Sequence, residues 1–122
     1  MKVKLKSRQE LQAVYLVVAN MAMKLAEEAT RPTKPNEREH VRMACRLVAL
    51  ELHKQALNIA MKLAMPSSSY TLRINAHGGL SMLSAWYAVD VTEINDPLAY
   101  AVMSEIMDNL QKAYGSQIVN PK

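Results

Sequence analysis

Residues 36–65, NEREHVRMACRLVALELHKQALNIAMKLAM, read as one long helix that is apolar on two opposite sides. Asn36 is placed to cap the amides of the first turn, and Glu39 three positions on completes a capping box. Pro35 stops any earlier helix. At about 100° per residue, Val41, Cys45, Val48, Leu52, Ala56, Ile59 and Leu63 fall on one stripe. Met43, Leu47, Leu50, Leu57 and Met61 fall on a second about 180° away. Such a helix needs cover on both sides. One side is expected to pack on the chain's own helices, and the other on a further helix or a second copy of the protein. The rest of the chain is expected to be organised around this element.

Upstream, Lys2-Val3-Lys4-Leu5-Lys6 alternates strictly, which is the period of a half-buried strand with Val3 and Leu5 inward. Ser7 and Glu10 make a capping box for a first helix, which carries Leu11, Val14, Tyr15, Val18, Ala22, Leu25 and Ala29 on one face and runs to about Thr30. Residues 31–35, with two prolines, cannot continue it. The long helix then returns antiparallel.

Downstream, Pro66 and the serines 67–69 end the long helix, and residues 70–75 alternate again with Leu72 and Ile74 inward. His77-Gly78-Gly79 is expected to make a turn. A third helix from Leu80 places Leu80, Leu83, Tyr87 and Val91 on one face and Met82, Trp86 and Val89 on another. Asp96 and Pro97 supply a cap and a first-turn proline for a fourth helix, with Ala99, Val102, Met103, Ile106, Leu110 and Ala113 inward. Gly115 is expected to end it. Residues 116–122 then form a tail pinned by Ile118 and Val119.

These elements predict a mostly helical α+β fold, a helical bundle with a short two-stranded antiparallel ribbon, in the order β-α-α-β-α-α. A helical hairpin between two strands returns the chain to the end it left, so the strands can pair antiparallel without a crossover. Val3, Leu5, Leu11, Val14 and Val18 match Leu72, Ile74, Leu80, Leu83 and Tyr87 at a constant offset. The offset predicts an internal duplication, with half-repeats at about 1–66 and 67–115 of one 122-residue domain.

The chain has no Phe, a single Trp and nine Met, so its core is expected to be aliphatic and adaptable. The net charge of +4 is uneven: residues 1–62 hold 12 Lys and Arg against 6 acids, and residues 63–122 hold 3 against 5. That total alone is not a nucleic-acid signature. Cys45 is the only cysteine, which excludes a disulfide within the chain and points to a buried small hydrophobe. No apolar run reaches the roughly 18 to 20 residues of a membrane span. The basic start followed by Ala13 to Ala19 imitates a signal peptide but reads better as strand plus helix, so the protein is expected in the cytoplasm with no membrane partner.

Residues that could do chemistry do not converge. His40 and His53 share the long helix but point about 140° apart, and His77 stands in a separate segment. Glu37-Arg38-Glu39-His40 has the spacing of a helical di-iron ligand pair, but no second Glu-x-x-His completes such a site. The His77-Gly78-Gly79 segment lacks the spacing of a phosphate-binding loop, Asp90, Glu93 and Asp96 lack that of a calcium loop, and no Gly-x-Ser-x-Gly elbow is present. No catalytic residue, metal ligand or cofactor is therefore assigned, and the chain is not expected to be an enzyme.

Two binding surfaces remain. The outward row of the ribbon would present Lys2, Lys4 and Lys6 on one strand and Thr71, Arg73 and Asn75 on the other, residue types that contact phosphates and base edges. A basic ribbon backed by helices resembles the ribbon-helix-helix class of DNA-binding proteins, which implies DNA binding in the major groove. The resemblance covers the order strand, helix, helix. The helices here are much longer, and residues 31–35 replace the glycine-containing turn of that class. The second surface is apolar: Met43, Leu47, Leu50, Leu57, Met61, Met82 and Trp86 are candidates for self-association, with a homodimer as the expected state. A non-catalytic interaction or assembly module is the function expected first, with a protein partner or a second copy. Nucleic-acid binding is the alternative.

Overall fold

The computed structural model describes residues 1–31, 39–65, 70–89 and 95–119, with the backbone alone at 116–119. Among them are β1 (Lys2–Leu5), α1 (Arg8–Thr30), α2 (Glu39–Ala64), β2 (Tyr70–Arg73), α3 (Ala76–Ala88) and α4 (Pro97–Val119). The element order is the one the sequence predicts, and the two strands pair antiparallel. Among the described residues no helix is long and apolar enough to cross a membrane.

Helix starts follow local chemistry. The Ser7 side chain accepts a hydrogen bond from Glu10 N at 3.3 Å, and the Glu10 carboxylate accepts one from Lys6 N at 3.0 Å, so two otherwise orphaned amides are satisfied reciprocally. At α4, Asp96 Oδ1 accepts from Leu98 N and Ala99 N at 3.0 and 3.2 Å, while Pro97 occupies the first helical position, where its missing N–H costs nothing. Arg42 reaches from α2 to donate to the Ala29 carbonyl at 2.9 Å and so satisfies the end of α1. The expected cap of α2 by Asn36 lies outside the described residues.

The centre of the fold is α1 rather than α2. Leu11, Ala13, Val14, Val17, Val18, Met21, Ala22, Leu25 and Ala29 of α1 are buried, against Ala49, Leu52, Ala56 and Ile59 of α2. The reason is cover: α1 packs on α2, α3, α4 and β1, which widens its buried arc beyond the single predicted row to include Ala13, Val17 and Met21. Tyr15, expected inward, stands at the edge of that arc and is exposed. The inner stripe of α2 behaves as predicted from Cys45 onward. Val41 is exposed.

Two boundaries differ from expectation. His77-Gly78-Gly79 is helical, because Asn75 caps α3: its Oδ1 accepts from Gly78 N at 2.7 Å. The glycines serve close approach here, since a Cβ on Gly79 would stand 2.7 Å from Tyr114 Cδ2 and one on Gly78 would stand 2.6 Å from Gln55 Nε2. No glycine has a positive φ. Likewise Gly115 does not end α4. It is buried within a helix that continues to Val119, and the expected pinning by the side chains of Ile118 and Val119 lies outside the described residues. Ala113, expected inward, is exposed.

Of the five apolar pairs offset along the chain, Val3 with Leu72, Leu5 with Ile74 and Val14 with Leu83 are buried in both halves. The fifth diverges: Val18 is fully buried, while Tyr87 is 72% exposed and its hydroxyl donates to Gln111 Oε1 at 3.2 Å.

Candidate interaction surface

Among the described residues nothing covers the second stripe of α2. Leu52, Ala56 and Ile59 anchor the helix to the core through its inner side. The opposite side therefore points away, and Met43, Leu47, Leu50, Leu57 and Met61 are 59–65% exposed. At 1.5 Å per residue the row runs about 27 Å along one helix. Met65, not singled out from sequence, lies just past the helix end and is equally exposed.

The other two self-association candidates stand elsewhere. Met82 is 2% exposed and belongs to the core between α3 and its neighbours, so it is not a surface residue. Trp86 is half-buried, packs against that core and lies over Tyr100 with ring centroids 5.8 Å apart, which makes it part of the α3–α4 contact. At these positions the second row of α3 packs within the chain, with Met82 in the core and Trp86 and Val89 packed against it.

The ribbon carries the charge expected of it. In the observed register Lys2 lies opposite Arg73 and Lys4 opposite Thr71, while Val3 faces Leu72 and Leu5 faces Tyr70. Lys2, Lys4 and Arg73 are exposed together on the solvent side, and Lys6 is exposed just beyond the strand. Thr71 is half-buried. Asn75 lies past the end of β2, and its oxygen is committed to capping α3.

Between α2 and β2 runs a groove of about 500 Å³. Val14, Ile59, Leu72, Ile74 and Met82 line it with apolar groups, and among the described residues Lys54, Lys62 and Arg73 stand around it with a single carboxylate, Glu51. Glu51 Oε2 is 3.6 Å from His77 Nε2, an ion pair when the imidazole is protonated. Gln55 Nε2 is buried in the same place and has no hydrogen-bond partner among the described residues. Sequence reading missed the groove, because it arises from a gap between two elements rather than from any periodicity.

Among the described residues no group of three or more His, Cys, Asp or Glu side chains could hold a metal ion. Cys45 is a free, half-buried thiol packed against the core. The chain matches no protein-family model, no curated protein and no solved structure.

Proposed function

We propose that the protein is a non-catalytic assembly module that forms a homodimer through the outer row of α2. The observation that carries this reading is the continuity of the row. Single exposed leucines are ordinary on a protein surface, but five large apolar side chains in one row along most of a helix, interrupted only at Lys54, are characteristic of a contact face. Its positions alternate in steps of four and three, the spacing at which two helices interdigitate, with Lys54 at the one step that is not apolar.

Lys54 also favours one orientation. Two parallel helices in register would set the two Lys54 ammonium groups side by side. An antiparallel pair centred between positions 50 and 54 sets Leu47 against Leu57, Met43 against Met61, and the apolar stem of Lys54 against Leu50, with its charged end reaching solvent. Light scattering on the protein at tens of micromolar is expected to give about twice the mass of one chain. A monomer at that concentration would overturn the proposal.

A second reading rests on the ribbon, whose register brings Lys2, Lys4 and Arg73 onto one outward face. If that face binds DNA, replacing Lys2, Lys4 and Lys6 with alanine is expected to weaken the binding of labelled duplexes of every sequence and to flatten its salt dependence. Arg73→Ala should instead change sequence preference. Unchanged affinity in the triple variant, measured by fluorescence anisotropy at low salt, would exclude the ribbon as a nucleic-acid surface.

A further inference from the structure

We propose that the groove between α2 and β2 takes an extended acidic peptide segment of a partner protein, which adds as a third strand to the free edge of β2. The register determines which backbone groups are available. Ile74 N donates to the Met1 carbonyl at 2.8 Å, so Met1 and Ile74 are a hydrogen-bonded pair, and the alternation of an antiparallel ladder makes Val3–Leu72 and Leu5–Tyr70 the next ones. Arg73 and Thr71 fall in the intervening pairs. Their N–H and C=O groups point away from β1, and no described residue pairs with them.

An added strand satisfies these groups and fits its surroundings. Side chains on one side of it lie over the apolar floor made by Ile59, Leu72, Ile74 and Met82. Those on the other side lie in the row of Arg73 and Lys2, where cross-strand pairing favours carboxylates. Lys54 and Lys62 on the α2 wall add to that preference, and among the described residues only Glu51 opposes it. Gln55 Nε2 supplies a buried donor still without an acceptor. The volume is that of a ligand pocket, and the four residues of β2 present about 13 Å of edge.

Charge also excludes a second copy of this ribbon as the occupant. Pairing β2 with another β1 or β2 would set Lys2, Lys4 or Arg73 against further cations. An occupant with alternating apolar and acidic residues has the complementary pattern.

The test is fluorescence anisotropy with a short labelled peptide of alternating valine and glutamate. Saturable binding that weakens with salt is expected. Affinity should fall at least tenfold when the peptide's backbone amides facing β2 are methylated, and at least tenfold again in Arg73→Glu. Thr71→Pro removes an edge N–H without touching the ladder to β1 and should act like the methylated peptide, provided circular dichroism shows the variant folded. Three results would overturn the proposal: no binding by the wild type, equal affinity for a valine–lysine peptide, or equal affinity for the methylated peptide. Binding of decanoate together with no peptide binding would assign the groove to small amphiphilic anions and overturn it as well.

Discussion

Leu52→Ala is expected to destabilise the protein by about 2–5 kcal/mol, the cost of a cavity in a close-packed core. Leu50→Ala, two positions away, should change the stability of the monomer by no more than about 0.5 kcal/mol. Both residues are leucines in the middle of α2, and only the environment differs: Leu52 is fully buried, and Leu50 is 61% exposed. Urea titration followed by circular dichroism, at a concentration low enough to keep the protein monomeric, measures both. With a slope of about 1–3 kcal/mol per molar urea, the midpoint for Leu52→Ala should fall by about 0.7–5 M. The slope itself should be unchanged. Equal losses for the two variants would mean that the outer row is covered within the chain.

The opposition between these leucines was legible in the sequence because it depends on helical period alone. Two stripes on one helix can be counted without knowing what covers them. The alternation of Lys2 to Lys6 was legible for the same reason, and so were the caps at Ser7 and Asp96, whose chemistry is local. The centre of the fold was not. Ala13, Val17 and Met21 flank the predicted row of α1, and whether a flank is buried depends on how many other elements pack there. Met82 shows the converse error, since an apolar residue on a second helical row belongs to the core or to the surface only through tertiary packing.

The helical start of α3 was hidden by composition. Two glycines after a histidine suggest a turn, yet Asn75 caps a helix through them, and their missing side chains let Gln55 and Tyr114 approach. The groove is a further step removed from sequence. Its free edge exists because β2 has one strand neighbour among the described residues, and its depth exists because α2 stands apart from β2.

The pair of substitutions Leu47→Glu and Leu57→Glu is expected to convert the proposed dimer to a monomer while leaving the fold of each chain intact. Both side chains are more than 60% exposed, so the monomer gives up little packing when they are replaced. In the antiparallel arrangement the two positions face each other across the seam, and the two-fold axis repeats the contact. Four leucines become four carboxylates, each meeting another carboxylate. Even a loss of about 1.4 kcal/mol at each of the four sites would weaken association about 10⁴-fold, which carries a micromolar dimer beyond any practical concentration. Light scattering should give the mass of one chain, and circular dichroism should show undiminished helix. Leu47→Glu combined with Leu57→Lys replaces both repelling contacts with opposite charges and should recover part of the dimer, more at low salt than at high. A dimer that survives the double glutamate variant unchanged would place the interface elsewhere on the molecule. If the dimer is lost with both charge combinations but helix is lost as well, the row has a structural role inside the chain that its exposure contradicts.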